Sequence, residues 1–255
     1  MFRATLLWFA NLIFTCHIAF TGFTGAQTAP AAPTTEKPYV PRSGQQGKDV
    51  IWLPTPQDVA IDLASGDGRT VITAAKLGAR ALGIEYNPDM VEYSGRQVAA
   101  AGMTERASFV RADLFETGFA EASVFTMSLL PDINRKLRPM ILELEPGTRI
   151  VLNTFAIAER KPDAEAELHS QPGCDISFCR VLHWVVPQKV EGSCTVAQGE
   201  VKLEQEFQMP TVMLKHGTTV FTPSGRVYGE QIKLSAGEKQ YRAHLSGGKL
   251  ELRER

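Results

Sequence analysis

Short apolar segments alternate with helical ones between Asp58 and Asn153, and this alternation limits the possible folds more than any other feature of the chain. Apolar runs of about five residues bounded by turns are typical of strands buried on both faces. Their alternation with helices predicts an α/β fold, a doubly wound and mostly parallel sheet with helices on both faces. The predicted strands are 59–63, 81–85, 108–111, 122–127 and 149–153, and the predicted helices are 69–77, 88–101 and 134–144. Residues 163–175 are predicted to be a polar connection, and residues 180–187 the last strand of the sheet.

The first predicted strand runs into a glycine-rich turn, Ser65-Gly66-Asp67-Gly68, at the edge where such sheets bind ligands. Glycine lets the backbone turn tightly and approach a ligand without an intervening Cβ. A nicotinamide or flavin fingerprint requires a third glycine where Val71 stands, so that fingerprint is not matched. Acids mark three successive strands instead: Asp62 in the first, Glu85 at the end of the second and Asp113 after the third.

The three acids and the glycine turn together resemble the cofactor site of the class I S-adenosylmethionine-dependent methyltransferases. The resemblance implies that Asp62 and the turn hold the amino-acid part of S-adenosylmethionine, that Glu85 accepts both ribose hydroxyls, and that Asp113 meets the adenine amino group. Carboxylates suit these roles because they accept hydrogen bonds from hydroxyl, amino and ammonium groups. The cofactor-binding residues that the resemblance implies are Asp62, Ala64, Ser65, Gly66, Asp67, Gly68, Glu85, Tyr86, Asp113 and Leu114.

A narrower resemblance concerns four short segments, which are similar to those of a bacterial group of short methyltransferases. That group is similar in turn to the mitochondrial lysine methyltransferase that acts on the ATP-synthase c subunit. The resemblance implies an enzyme whose methyl acceptor is a protein or a small molecule, with a protein lysine as one plausible acceptor. The segments are Asp62–Arg69, Asp113–Thr117, Leu129–Pro131 and Leu137–Pro139.

The segment after the fourth strand lines the acceptor pocket in methyltransferases of this fold. The resemblance therefore assigns Ser128, Leu130, Pro131 and Asn134 to that pocket. The segment lacks the Asn/Asp-Pro-Pro-Tyr loop that methylates amide or base nitrogens, so a DNA or glutamine methyltransferase is not expected. No residue stands out as a general base, and the catalytic residues stay unassigned. Methyl transfer from a sulfonium depends mainly on alignment of donor and nucleophile.

The chain departs from the family in three places. Ala64 replaces the first glycine of the loop, and Ser128 replaces a residue that is commonly aromatic. Relatives also carry an amphipathic helix before the first strand, whereas Leu53-Pro54-Thr55-Pro56-Gln57 leads here almost directly into Asp58. A parallel sheet needs both faces covered. These departures leave open a second hypothesis, an exported binding protein that retains the methyltransferase fold without turnover.

The N-terminal residues 1–26 have the composition of a targeting segment. Arg3 precedes an apolar run over residues 4–23, and Thr24-Gly25-Ala26 predicts cleavage before Gln27. A cleaved signal peptide places the protein in the periplasm or outside the cell. The alternative is an uncleaved inner-membrane anchor, with membrane association through residues 4–23. Residues 27–48 contain four prolines and no periodicity, and they are predicted to form a linker.

The remaining residues divide into a methyltransferase domain over residues 49–190 and a small antiparallel β domain over residues 191–255. Period-two runs separated by Gly, Pro and Ser turns predict about six short strands in the second domain. The formal net charge of −1 lacks the excess of basic residues expected of a non-specific nucleic-acid binder, so no nucleic-acid partner is predicted. His183 is predicted to be a core or edge residue, and no spacing suits a metal site. In an exported protein, Cys174 and Cys179 are expected to form a disulfide.

Overall fold

The computed structural model describes residues 14–17, 54–167, 180–196, 199–216, 218–246 and 249–254. The chain divides into two compact units, one over residues 51–188 and one over residues 189–255 together with 1–50. In chain order the elements are β1 (Phe14–His17), β2 (Val59–Leu63), α1 (Arg69–Lys76), β3 (Arg80–Glu85), α2 (Pro88–Ala100), β4 (Ala107–Arg111), β5 (Val124–Met127), α3 (Pro131–Leu142), β6 (Arg149–Asn153), β7 (Ala164–Glu167), β8 (Arg180–Val185), β9 (Gly192–Val196), β10 (Gly199–Glu206), β11 (Met209–His216), β12 (Thr219–Phe221), β13 (Ser224–Tyr228), β14 (Gln231–Ala236), β15 (Lys239–Ser246) and β16 (Lys249–Glu254).

The unit over residues 51–188 is built on a seven-stranded sheet with the order β4-β3-β2-β5-β6-β8-β7. The first five strands in this order are parallel, and β8 and β7 are antiparallel to their neighbours. On one face, α1 and α2 pack through Val71, Ala74 and Val98 against Ala60 and Ala81. On the other face, Leu137 and Ile141 of α3 pack with apolar strand residues that include Ile61, Phe125 and Ile150. The predicted α/β fold with helices on both faces is confirmed.

Local chemistry explains where two of the helices begin. Asn87 caps α2, since its side-chain oxygen accepts a hydrogen bond from the Asp89 N–H (2.9 Å), and Pro88 occupies the first helical position. Pro131 occupies the first helical position of α3, so this helix begins three residues before its predicted start at Asn134. Pro139 lies inside α3.

One strand of this sheet was not predicted from the sequence. β7 has the sequence Ala-Glu-Ala-Glu and pairs antiparallel with β8. Alanine and glutamate are poor strand formers, which is why this edge strand resembled a polar connection in the sequence. It becomes a strand because the free edge of β8 offers backbone partners.

The second unit is an antiparallel sheet, as its period-two pattern predicted, but among the described residues it has nine strands instead of about six. Their order is β1-β16-β15-β14-β13-β11-β10-β9, and β12 pairs with β11. Strands β1 and β9, at the two ends of this order, approach each other, so the sheet curls. One face carries the core of this unit, with Val227, Ile232 and Leu203 almost fully buried. β11 was missed because Met209 and Met213 are apolar but exposed, which hides the alternation.

The strand β1 lies inside the segment predicted to be a signal peptide or anchor. It pairs antiparallel with β16, and Phe14 lies opposite Leu252. The rest of residues 1–26, the predicted linker 27–48 and the pair Cys174 and Cys179 lie outside the described residues. Within the part of the chain that is described, no helix is both long enough and apolar enough to cross a membrane.

Candidate cofactor and acceptor site

The loop after β2 is shaped by three residues with left-handed backbone. Ala64 and Gly66 have φ of 54° and Gly68 has φ of 80°. Gly68 also caps α1, and a Cβ on it would lie 2.5 Å from the ring of Phe109. Glycine is therefore required at position 68 both by the backbone conformation and by the packing. The loop places the amino end of α1 beside the carboxyl edge of the sheet, where doubly wound folds bind their ligands.

Glu85 joins this loop to the end of β3. Its Oε2 accepts a hydrogen bond from the Gly66 N–H (3.0 Å), and its Oε1 accepts one from the Asn87 N–H (2.9 Å). Each carboxylate oxygen can accept a second hydrogen bond. The carboxylate thus holds the glycine loop and keeps acceptor capacity for a ligand.

Asp62 is the buried acid of the site, with 8% of its surface exposed. Burial raises the pKa of Asp62 to about 7, and the negative charges of Asp67 and Glu85 add to the increase. Hydrogen bonds donated by the side chains of Thr126 and Thr70 act in the opposite direction and lower the pKa. A cation bound beside this carboxyl would stabilise its ionised form and lower its pKa.

Other predicted residues of the first loop face different ways. The Ser65 hydroxyl is buried, and a Cβ on Gly83 would lie 2.5 Å from it, so this side chain points into the fold. Asp67 binds the Arg69 guanidinium through both carboxylate oxygens, and this interaction lowers the pKa of Asp67.

Ser94 on α2 was not recognised from the sequence as part of this region. Its hydroxyl lies 2.8 Å from the Gly66 carbonyl and 2.5 Å from the Met90 carbonyl. A serine in a helix commonly bonds the carbonyl four residues earlier, so nothing in the sequence distinguishes one that also reaches a loop.

The end of β4 carries the third acid. Asp113 Oδ1 accepts a hydrogen bond from the Phe115 N–H (2.8 Å), and the Ala112 N–H donates to the Glu85 carbonyl (3.1 Å). Leu114 packs against the core below the edge, whereas Tyr86 is 70% exposed. The structure therefore brings the three acids to the carboxyl ends of β2, β3 and β4, which are adjacent in the sheet.

The predicted acceptor residues separate into two groups. Ser128, Leu130 and Pro131 are exposed after β5, on the far side of β2 from β3. Asn134 is fully buried, and its Nδ2 lies 3.3 Å from the Leu129 carbonyl. The same nitrogen lies 3.2 Å and 3.3 Å from the carbonyls of Phe155 and Ala156. Asn134 thus joins the loops after β5 and β6 and does not line an open pocket.

Comparisons with known proteins agree with this arrangement. Residues 62–164 match the model of the ANTKMT methyltransferase domain family. A protein-lysine N-methyltransferase of Saccharolobus islandicus (strain REY15A) is 37% identical over 130 residues, which cover 49% of this chain and 81% of that protein. The chain belongs to the class I S-adenosylmethionine-dependent methyltransferases.

Two further proteins match about half of this chain. The ATP synthase c-subunit lysine N-methyltransferase of Mus musculus is 37% identical over 131 residues, 49% of this chain and 52% of that protein. A solved structure of an RNA methyltransferase from Salinibacter ruber, in complex with S-adenosyl-L-homocysteine, has 38% identity and a TM-score of 0.49, and covers 53% of this chain and 85% of that one. The methyltransferase thus spans about half the length of the mouse protein.

An apolar groove of about 400 Å³ lies beside α1 in the methyltransferase unit. The described residues that precede β2, 54–58, form a turn and no helix. The groove lies on the sheet face that α1 covers. It is lined by Pro54, Ala60, Val71, Ala74, Leu77, Val124 and Val151, and by the polar residues Asp62, Arg69, Thr70, Thr73 and Thr126. Among the residues described, no group of three or more His, Cys, Asp or Glu side chains could hold a metal ion.

Proposed function

We propose that this methyltransferase transfers the methyl group of S-adenosylmethionine to the side-chain nitrogen of a protein lysine. The observation that carries the proposal is the set of Asp62, Glu85 and Asp113 at adjacent strand ends, in a chain whose relatives include protein-lysine N-methyltransferases. A small-molecule acceptor is the other class that the sequence leaves open.

Each acid has a proposed part in holding the cofactor. The Asp62 carboxyl suits the ammonium group of the methionine moiety because an adjacent cation favours its ionised form. Glu85 offers its remaining lone pairs to the ribose hydroxyls, and Asp113 offers acceptors to the adenine amino group. Tyr86 and Leu114 flank these two acids in sequence and contribute apolar contact to the ribose and the adenine ring.

The reaction requires mainly that the attacking amine, the methyl carbon and the sulfur are aligned. The lone pair of a neutral lysine amine attacks the methyl carbon, the C–S bond breaks, and its electron pair stays on sulfur as the thioether of S-adenosylhomocysteine. The new secondary ammonium then releases one proton to water. The exposed apolar residues Leu130 and Pro131 suit the methylene chain of a lysine and displace water from its amine.

Quantitative methyl-peptide mass spectrometry in the native host tests this function. We compare a deletion strain complemented with the unmodified protein, with Glu85→Ala, or with empty vector, each fed methyl-labelled methionine. We expect lysine-methylated peptides that require the unmodified protein and disappear with Glu85→Ala. Label that depends on the protein but enters RNA or small molecules, with lysine unchanged, would contradict the lysine acceptor.

The cell compartment is a separate proposal, supported by the composition of residues 1–26. The protein is exported to the periplasm or medium, with an inner-membrane anchor as the alternative topology. Cleavage before Gln27 would remove β1 and with it the pairing of β1 with β16. Mass spectrometry of the mature N-terminus decides the question: a chain beginning at Gln27 supports cleavage, and an intact Met1 refutes it.

A further inference from the structure

The ends of β5 and β6 place two polar side chains directly beside the cofactor loop. Leu63 pairs with Met127, and Met127 pairs with Leu152, so the next residue of each strand lies at the carboxyl edge. These next residues are Ala64 of the loop, Ser128 and Asn153. Asn153 Nδ2 donates a hydrogen bond to Ser128 Oγ (3.4 Å). Ser128 follows the strand next to β2, and Asn153 ends the strand after that, so the pair extends from the cofactor loop along the carboxyl edge of the sheet.

The backbone after Asn153 is strained in a way that fixes this pair. Thr154 has φ of 68°, which is rare for a β-branched residue. The Phe155 N–H donates to the Asn153 carbonyl (2.8 Å) across it, which makes a γ-turn of the rare form with positive φ. The Thr154 N–H is held by the Arg180 carbonyl of β8 (2.6 Å). Strain of this kind persists where surrounding structure enforces it, and it is concentrated at functional sites.

The same turn directs two carbonyls toward the buried Asn134. Because Asn134 Nδ2 lies within 3.3 Å of carbonyls in the loops after both β5 and β6, it fixes the loop of Ser128 relative to the loop of Asn153. Thr154 Oγ1 also donates to Asn153 Oδ1 (3.2 Å), which orients the Asn153 amide. The pair is thus held by the strands, by the γ-turn and by Asn134.

We infer that Ser128 Oγ and Asn153 Oδ1 accept the hydrogen bonds of the acceptor amine and direct its lone pair toward the methyl carbon. The inference rests on the proposed lysine acceptor and names the contacts that the substrate nitrogen makes. A lysine nitrogen must keep its N–H groups satisfied while its lone pair stays free, and neutral oxygen acceptors do this without stabilising the ammonium form. Serine at position 128 leaves room for the amine where an aromatic ring is common in the family.

Calorimetry with a matched set of ligands tests the inference without a known protein substrate. The first ligand is S-adenosylhomocysteine. The second replaces its sulfur by nitrogen bearing a 2-(butylamino)ethyl arm, so that the arm nitrogen stands for the lysine nitrogen. The third carries the same arm with an ether oxygen in place of that nitrogen. The ratio of the affinities of the amine and ether ligands reports the hydrogen bonds that the arm nitrogen donates together with its charge. The change of this ratio on substitution of Ser128 or Asn153 gives the part that these residues contribute.

We expect the unmodified protein to bind the amine ligand about tenfold or more tightly than the ether ligand. Ser128→Ala and Asn153→Ala should each reduce this ratio several-fold, with the affinity for S-adenosylhomocysteine unchanged. Asn153→Asp should increase the ratio, since a carboxylate attracts the charged amine, whereas a merely structural role predicts no increase. Asp132→Asn, an exposed acid paired with Arg135 at the start of α3, is the control and should leave the ratio unchanged.

The outcomes separate this inference from the proposed function. If S-adenosylhomocysteine binds but the amine and ether ligands bind equally, or if the ratio survives both alanine variants, the assignment of Ser128 and Asn153 is wrong while the cofactor site stands. If S-adenosylhomocysteine itself does not bind to the folded protein, the proposed function fails first.

Discussion

Ala64 shows at the scale of one residue how the chain differs from the glycine loops of its family. Its φ of 54° lies in the left-handed region, where a Cβ costs about 1–2 kcal/mol. The sequence shows this departure from glycine but not where its energetic cost arises. The structure places the cost in the backbone.

Ala64→Gly should stabilise the protein by about 0.5–1 kcal/mol, because the relief of strain exceeds the extra chain entropy of glycine. Ala100→Gly is the matched control at the end of α2, where the backbone is helical and the side chain is exposed. It should destabilise the protein by up to about 1 kcal/mol. Urea denaturation measures both. Equal destabilisation by the two substitutions would show that Ala64 is not strained.

Two buried titratable residues have opposite effects on stability. Burial raises the pKa of Asp62 to about 7, so the folded state keeps a proton that the unfolded state loses above about pH 4. Burial lowers the pKa of His183 to about 3, with the positive charge of Arg149 adding to the effect. His183 therefore binds a proton below about pH 6.5 in the unfolded state, whereas in the folded state it stays neutral down to about pH 3. Between about pH 4 and 6.5 the contributions of the two residues to the pH dependence of the free energy of unfolding have opposite signs and cancel.

Substitution of either residue should expose the contribution of the other. In Asp62→Asn, the free energy of unfolding should fall as the pH drops from about 6.5 to 4.5, by up to about 1.4 kcal/mol per pH unit relative to the unmodified protein. In His183→Gln it should rise over the same window. Urea denaturation across this pH range gives both slopes. Identical slopes in all three proteins would contradict the assigned pKa values.

At the scale of elements, the cofactor edge depends on close packing between β3 and β4. A Cβ on Gly83 would lie 2.3 Å from the Phe109 ring and 2.5 Å from Ser65 Oγ. The same ring lies 2.5 Å from the position of a Cβ on Gly68. The Phe109 ring thus fills the space left by the missing side chains of Gly68 and Gly83, and it packs against the glycine loop.

Gly83→Ala should therefore destabilise the protein by about 1–3 kcal/mol, since a methyl group is forced into a filled site. The double variant Gly83→Ala with Phe109→Leu should recover part of this loss, although Phe109→Leu alone is destabilising. A double-mutant cycle measured by thermal unfolding gives the coupling between the two positions. Strictly additive effects would show that the ring does not limit position 83.

The elements that were predicted correctly are those whose buried residues appear in the sequence as apolar runs or as apolar residues at helical spacing. β2, β3, β4 and β6 carry buried apolar side chains and were predicted to within about a residue, as were α1 and α2. β7 was missed because its pairing with β8, and not its own side chains, makes it a strand. β11 was missed because the exposed Met209 and Met213 hide the alternation of its buried residues. The three acids were found because each lies in or just after a strand. Ser94, Asn153 and the γ-turn at Thr154 were not, since their roles depend on contacts between distant loops.

At the scale of the whole molecule, the two units have separate hydrophobic cores. Trp184 is fully buried in the core of residues 51–188, and its Nε1 donates to the Lys161 carbonyl (2.8 Å). The core of the second unit is formed by β-strand residues that include Val227 and Ile232. Units with separate cores can unfold in separate cooperative transitions.

We expect S-adenosylhomocysteine to raise the midpoint of one transition only. With Trp8 and Trp52 replaced by Phe, fluorescence reports Trp184 alone, because residues 189–255 contain no tryptophan. The ligand should raise the midpoint of this fluorescence transition. The unfolding transition of the second unit, which is followed by circular dichroism, should keep its midpoint. Ile232→Ala should lower only the second transition. A single transition that moves with both the ligand and Ile232→Ala would contradict independent units.

Calorimetry with S-adenosylhomocysteine tests most directly whether this chain binds S-adenosylmethionine through the acids at the carboxyl edge of its sheet. We expect one site in the unmodified protein, weaker binding by Glu85→Gln, and a loss of roughly 30- to 1,000-fold with Glu85→Ala, because two ribose hydroxyls lose their charged acceptor. Circular dichroism checks that each variant is folded. No measurable binding by the folded, unmodified protein at millimolar ligand would contradict the presence of this cofactor site. Equal affinity in all three proteins would contradict the role of Glu85 in it.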